Sequence, residues 1–313
     1  MANGSIPMGV CYGPYHRNTE RKASEADVTA DMDIIAKHFG KIRTYSVHDA
    51  DTYNVGAASK HGLKVCLGTW IFKNDKTKPF DRMKTFDEID LAVHQAGMFP
   101  GTVIHFIIGN EVDRPEQSYD PKEVLDALNY AKTKKDSHPN KQVNSIPVTT
   151  CFSGTVLQPN TPSAEKWLDV VRLCHDVVYL TVYPWYGNSP PDNIDKNMRW
   201  SYENGMQQVE ALGKRVVIAE IGWPSAGWPP PGEPKEKRFP TTVENEQANY
   251  AATNDWVLGK NHLNKAFEAF WFEMFDEPWK TNEGTWGPHW GLYGSGPTPT
   301  PKFTIPGRRL TPV

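Results

Sequence analysis

Eight short apolar runs punctuate this chain, and helix-patterned polar segments separate most of them. The runs are MGVCYG, KIRTYS, LKVCLGTWI, TVIHFIIGNE, IPVTTC, VVYLTVYP, RVVIAEIGW and AFEAFWFEMF. They are near-continuous in Val, Ile and Leu rather than alternating. That is the pattern of strands buried on both faces, as in a parallel sheet covered by helices. The intervening segments carry helix signals. Val28, Met32, Ile35 and Phe39 share one face of a helix predicted from about Ser24 to Phe39, and Ser24 with Asp27 makes a capping-box pattern. Asp120-Pro121-Lys122-Glu123 opens another helix, with Asp as N-cap and Pro at the first helical position. Thr242 is expected to cap a later helix that ends near Gly259.

Eight such units in 313 residues predict an α/β fold, a single (β/α)8 barrel. The rival, a doubly wound open sheet, normally has a glycine-rich first turn, and YGPYHRN does not supply one. Residues 1–313 therefore read as one domain, with a short N-terminal tail, 1–6, and an extended C-terminal tail from about 295 to 313. The proline-rich stretch Trp228 to Pro240, WPPPGEPKEKRFP, reads as a surface loop after the seventh strand.

Composition excludes several functions. A net charge of −3 leaves no basic footprint for nucleic acid. No apolar run approaches the ~18 residues of a membrane span. MANGSIPMGV has neither basic flank nor apolar stretch, so it does not read as a signal peptide. Cys11, Cys66, Cys151 and Cys174 form no CxxC pair and read as small buried hydrophobes rather than as a disulfide or a metal site. There is no HExxH, Walker loop or GxGxxG, so no metal or cofactor is expected.

In a barrel, chemistry collects at the C-terminal ends of the strands. There the apolar runs are broken by polar side chains: Arg43 and Tyr45 on the second, Asn110 and Glu111 on the fourth, Tyr183 on the sixth, Glu220 on the seventh, and Glu273, Asp276, Glu277 and Lys280 on the eighth. Glu220 follows the apolar residues 216–219, and a buried carboxylate without a partner is costly. A structural ion pair would explain one such residue. Two, Glu111 and Glu220, favour catalysis, and paired carboxylates suit glycoside hydrolysis. Aromatic content points the same way. Trp70, Trp185, Trp223, Trp228, Trp279, Trp286 and Trp290 all follow strands, and indole faces match the flat C–H faces of sugar rings in an open, aromatic-lined cleft. The histidines show no metal spacing; His289 lies near the mouth, where it could assist the acid, but it reads better as a neutral surface or packing residue.

With GVCYGPY, IRTYS, IGNE, VYPWY, IAEIGWPS, FEMFDEPWK and HWGLY in place, the chain resembles glycoside hydrolase family 17, the β-1,3-glucanase and glucan transglycosylase family, over nearly its whole length. FDEPWK followed by EG and WGLY looks closer to bacterial and fungal members than to plant ones. The resemblance implies a retaining hydrolase with Glu111 as acid/base and Glu220 as nucleophile, their carboxyls ~5–5.5 Å apart. It implies that Asn110 holds the sugar 2-hydroxyl, that Tyr183 bonds the nucleophile, and that Glu277, Lys280 and Glu283 form a charged network. Arg43, Tyr45, Trp185, Tyr186, Trp223 and Trp279 complete the expected substrate-binding set. The implied partner is a β-1,3-glucan polysaccharide or oligosaccharide, in a secreted, periplasmic or cell-wall-associated setting; the sequence is compatible with a monomer and does not set the oligomeric state. A glucanosyltransferase uses the same two glutamates, and a non-catalytic glucan-binding barrel is the reading from a different class.

Overall fold

The structure is a computed structural model that describes residues 8–17, 20, 22–75, 79–228 and 239–308. All eight predicted strands are present. They are β1 (Met8–Cys11), β2 (Lys41–Arg43), β3 (Lys64–Thr69), β4 (Val103–Ile108), β5 (Val148–Thr149), β6 (Cys151–Ser153), β7 (Val177–Thr181), β8 (Arg215–Ile221) and β9 (Glu268–Trp271). The ninth label arises because the run IPVTTC is interrupted at Thr150.

The strands form one sheet in the order β5-β4-β3-β2-β1-β9-β8-β7-β6. The two end strands of that order are separated in sequence by Thr150 alone. Thr150 bonds to both sides: its hydroxyl donates to the carbonyl of Ile108, and its own carbonyl accepts from the amide of Tyr179. The sheet therefore closes on itself, and the fold is the predicted (β/α)8 barrel. The pairs β1·β9, β3·β4, β4·β5 and β6·β7 are parallel.

The helices are α1 (Glu25–Ile35), α2 (Asn54–Lys60), α3 (Arg82–Met98), α4 (Pro121–Asp136), α5 (Lys141–Asn144), α6 (Pro162–Leu173), α7 (Asp195–Ser201), α8 (Gln207–Ala211) and α9 (Val243–Val257). A π-helical turn, Tyr202–Met206, joins α7 to α8. Caps fall where the sequence places them. Ser24 and Asp27 form a reciprocal capping box on α1, and so do Asp120 and Glu123 on α4. Thr242 caps α9. The chain then turns at Gly259, whose φ of +96° a side chain would resist.

Packing divides the chain into two compact units. One comprises Met1–Ile42, Tyr183–Arg199 and Glu220–Val313; the other comprises Arg43–Val182 and Trp200–Ala219. The core of the second is Val65, Leu67, Phe106, Ile107, Val148, Phe152, Val178 and Leu180, all at most 1% exposed. Inside it Cys66, His105 and Tyr179 make a small polar contact, with the Tyr179 hydroxyl 2.7 Å from His105 Nδ1 and 3.1 Å from Cys66 Sγ. In the first unit Met8, Val10, Ile221, Ala269, Phe270 and Trp271 are equally buried. All four cysteines are buried, as their apolar settings predict.

Candidate active site

In the second unit the site is built where β4 ends. Gly109 has φ +80°, and a Cβ there would lie 2.6 Å from Val112 Cγ1, so both conformation and space demand glycine. The amide of Gly109 donates to Thr69, which ends β3, and the amide of Val112 donates to Cys151 at the start of β6. Between these anchors Glu111 takes φ +46°, an uncommon backbone region for a long side chain. The turn lifts its carboxylate off the strand line. There Glu111 Oε1 accepts from the Thr181 hydroxyl at 2.5 Å and pairs with the Arg114 guanidinium at 2.9 Å.

Asn110 is held by Arg43, whose guanidinium donates to Asn110 Oδ1 at 2.6 Å and to the Tyr45 hydroxyl at 3.0 Å. Arg43 is also stacked 4.5 Å over the Tyr45 ring. Three residues expected to bind sugar thus form one cluster. Arg43 is only 1% exposed, so it orients Asn110 and Tyr45 from behind. Sequence reasoning missed Thr181 and Arg114. Thr181 is the polar last residue of β7 and Arg114 lies three residues past Glu111, but nothing local in the sequence ties Thr181 to a carboxylate 70 residues away. It also missed Asp113, which accepts from the amide and hydroxyl of Ser153 and whose pKa burial pushes up, with Ser153 opposing.

In the first unit Glu220 is the second-last residue of β8, 5% exposed. The Tyr183 hydroxyl donates to its Oε2 at 2.5 Å. Tyr183 is itself wedged edge-on against Phe272, Trp290 and Tyr186, with ring centroids 5.9, 5.2 and 5.7 Å away. Gly222 makes this packing possible, since a Cβ there would stand 2.1 Å from the Phe272 carbonyl.

Beyond β9 lies the charged network. Lys280 Nζ donates to both oxygens of Glu273, at 2.9 and 2.8 Å, and pairs with Glu277 at 2.8 Å. All three are buried. Burial, then the charge of Glu277, holds the Glu273 carboxyl well above the usual range, with Lys280 opposing. Burial alone would pull the Lys280 ammonium down, but Glu273, Glu277 and Glu283 reverse this and push it up. Glu283 is exposed as a residue. Desolvation pushes its pKa up first, Lys280 opposes, and the charges of Glu220 and Glu277 add to the rise. The network is therefore electrostatically joined to Glu220.

The aromatic walls need correction. Trp185 and Trp223 are 1% and 0% exposed, and their indole N–H groups donate to the carbonyls of Phe239 and Pro240. They pack rather than offer a face to a ligand. Tyr186 is 47% exposed, and its hydroxyl accepts from Trp286 Nε1 at 3.3 Å. Trp228, Trp279 and Trp286 are partly exposed, so these and Tyr186 retain surfaces a sugar can meet. Most of the Trp228–Pro240 loop, the 1–6 tail and the chain end from 309 lie outside the described residues. Among the described residues no group of three His, Cys, Asp or Glu is arranged to hold a metal, and no helix is long and apolar enough to cross a membrane.

The chain resembles known proteins over most of its length. A probable glucan endo-1,3-beta-glucosidase of Aspergillus fumigatus is 26% identical over 299 residues, covering 90% of this chain and 40% of the relative. The glucan endo-1,3-beta-glucosidase of Emericella nidulans is 26% identical over 295 residues, covering 90% of this chain and 42% of the relative. The chain thus spans about two fifths of the length of these curated relatives. Among solved structures, the glycoside hydrolase family 17 beta-1,3-glucanosyltransferase of Rhizomucor miehei superposes with a TM-score of 0.70 at 22% identity, covering 96% of this chain and 98% of the other. An endo-laminarinase from Formosa gives 0.74 at 22% identity, covering 92% and 83%. These likenesses support the barrel fold. Residues 9–291 match the family described as the BtgE/BtgC glycoside hydrolase domain, and the chain belongs to that family.

Proposed function

We propose that this chain is a retaining glycoside hydrolase acting on β-1,3-glucan. The observation that carries the reading is that two strand ends of a glycoside hydrolase family barrel each present a glutamate, and each glutamate is oriented by a hydroxyl, Thr181 for Glu111 and Tyr183 for Glu220.

The chemistry runs in two steps. Glu220 attacks the anomeric carbon while Glu111 gives its proton to the glycosidic oxygen. The old C–O bond breaks and an ester to Glu220 forms. Glu111, now a carboxylate, then takes a proton from an incoming hydroxyl, which displaces Glu220 and restores both groups. Water as the incoming group gives hydrolysis. A sugar hydroxyl gives transglycosylation, the activity named for the Rhizomucor neighbour. Asn110, which Arg43 holds by a 2.6 Å bond, would meet the hydroxyl next to the anomeric carbon, where a contact that tightens in the transition state would add several kcal/mol. Remote contacts to Tyr186, Trp279 and Trp286 would align the scissile bond.

The test is product analysis on β-1,3-gluco-oligosaccharides of increasing length beside cello-oligosaccharides of matched length. Activity should rise with length on the first series and be little or none on the second. Proton NMR of early products should show the β anomer, and longer oligomers appearing alongside shorter ones would assign transfer. Comparable rates on β-1,4 chains would remove the linkage claim. An α anomer first would mean inversion, with Glu220 acting as a base.

A further inference from the structure

We infer that Lys302, in the extended C-terminal segment, is a positioning residue for the nucleophile Glu220, acting through Trp290 and Tyr183. The inference rests on the catalytic role proposed for Glu220. Its geometry lies within one unit and runs in contiguous steps.

Lys302 Nζ donates to the Ser225 hydroxyl at 2.6 Å, to Asp276 Oδ1 at 2.7 Å and to the carbonyl of His289 at 3.4 Å. Its side chain is 12% exposed and that of Asp276 14%. These partners come from three segments: the loop after β8 (the strand that carries Glu220), the loop after β9, and the 289–291 stretch. Further bonds tie the same three together. The amide of Ser225 donates to the His289 carbonyl at 2.8 Å, and the amide of Gly291 donates to Asp276 Oδ1 at 2.9 Å. Trp290 lies between the two residues held in this way. Its carbonyl accepts from the amide of Glu273 at 3.0 Å, and its ring packs 5.2 Å from that of Tyr183, whose hydroxyl holds Glu220.

The ammonium is delivered to this spot by backbone structure. The amide of Lys302 donates to the Leu292 carbonyl, and that of Gly294 to the Thr300 carbonyl, so residues 292–302 fold back on themselves. Glu246 of α9 stands 3.8 Å from Lys302 Nζ. Burial holds its carboxyl well above the usual range. At 3.8 Å against 2.7 Å, Glu246 is the more distant of the two carboxylates, and Asp276 is the one that Lys302 binds directly. Losing the ammonium would leave Asp276 with only the Gly291 amide at 2.9 Å and His289 Nδ1 at 3.9 Å, at a poorly solvated junction of three loops, and the loops would shift to solvate it. The ring most exposed to that shift is Trp290, the packing wall of Tyr183.

The test compares wild type, Lys302→Met, Lys302→Arg, Tyr183→Phe and the Lys302→Met/Tyr183→Phe double variant. Turnover is followed on a β-1,3-gluco-oligosaccharide, and inactivation with a slow 2-deoxy-2-fluoro glycoside of the same linkage. Lys302→Met should lower kcat and the labelling rate by roughly 10–100-fold, the worth of one hydrogen bond to a charged group, with KM changed less than about twofold. Lys302→Arg should recover much of the loss. The double variant should be no worse than the worse single variant, because both act on one bond. Multiplying effects, or a loss that tracks only the fraction of folded protein, would overturn the inference. A crystal structure of Lys302→Met reads the same point without catalysis. It should show Trp290 displaced and the Tyr183–Glu220 bond lengthened, and an unchanged bond overturns the inference. A wild type that is inactive on β-1,3-glucan would count against the proposed function and leave this structural arm decisive.

Discussion

Glu111 sits in a left-handed turn three residues past the end of β4, whereas Glu220 lies inside the extended run of β8. A barrel strand presents every second side chain to the interior, so a carboxylate in the last positions of β8 reaches the mouth with ordinary backbone geometry. Glu111 needs a special one. Positive φ in a residue of this size costs of order 1–3 kcal/mol, which the anchored turn around it must absorb. The environments differ as well. Glu220 is 5% exposed and held by a phenol that is itself packed among aromatic rings. Glu111 has an 18% exposed side chain and pairs with an Arg114 that is 42% exposed. A group that forms and breaks an ester gains from a rigid, dry setting. A group that gives and takes a proton must be reachable by the incoming hydroxyl. The two settings fit the two roles assigned.

The largest expected effect breaks the comparison outright. Glu220→Ala should lose more than the roughly 10²–10⁴-fold that general acid–base catalysis supplies, because no ester can form. Added azide can replace either missing group. In Glu220→Ala it would attack directly and give the α-glycosyl azide; in Glu111→Ala it would displace the ester and give the β product. Mass spectrometry and NMR of the two azides check the assignment, and a swapped pair of anomers would exchange the roles.

Next in size is Glu111→Gln, expected to slow natural glucans by roughly 10²–10⁴-fold. An aryl glycoside with a good leaving group needs little protonation, so its first step should suffer far less. Burst kinetics separate that step from the second. Equal loss on both substrates would leave Glu111 without an acid role.

Much of this contrast was legible in the sequence. Strands buried on both faces announce themselves as unbroken apolar runs, so the eight runs and the polar ends of β4 and β8 could be read directly, though not the break at Thr150 that divides β5 from β6. The Gly-Asn-Glu order also hinted at the turn, since Gly109 has the φ that its neighbours cannot easily adopt. The partners were not legible. Thr181 is 70 residues from Glu111, and Lys302 is 77 from Ser225. No local pattern distinguishes a threonine that bonds a carboxylate from one that finishes a strand. Tryptophans after strands were ambiguous for a similar reason. A wall that meets sugar and a ring that packs beneath it obey the same pattern, and only burial separates Tyr186 from Trp185 and Trp223.

A smaller effect is expected from the hydroxyls that orient the two glutamates. Tyr183→Phe removes the bond to Glu220 and should cost roughly 10–100-fold in kcat with little change in KM. Thr181→Val leaves Glu111 paired with Arg114 and should cost less, about 10-fold or below. Steady-state kinetics on one oligosaccharide rank the two. If Thr181→Val proves the more damaging, Glu111 rather than Glu220 is the group that depends on rigid positioning.

The smallest effect concerns stability and uses a third carboxylate, Glu246, to isolate what burial does without an orienting hydroxyl. Among the described residues neither oxygen of Glu246 has a hydrogen-bond partner, and Lys302 stands 3.8 Å away. Burial raises its pKa well above the ordinary value, with Lys302 opposing and the charge of Asp276 adding. The sign follows from where protons are held. Below pH ~4 the carboxyl is protonated in both folded and unfolded chains, so ionisation costs nothing. As pH rises, the unfolded chain releases its proton first while the folded carboxyl keeps it. Wild-type stability then falls until the raised folded pKa is passed. Glutamine ionises in neither state and escapes this loss. Glu246→Gln should therefore gain on wild type as pH increases from 4 to 8, by about 2 °C in Tm for each kcal/mol relieved. Thermal unfolding of both proteins across that range measures the gap. A gap that stays flat with pH would mean that Lys302 stabilises Glu246 as a full carboxylate, and the ammonium would then be shared between Glu246 and Asp276 rather than committed to the loop that carries Asp276.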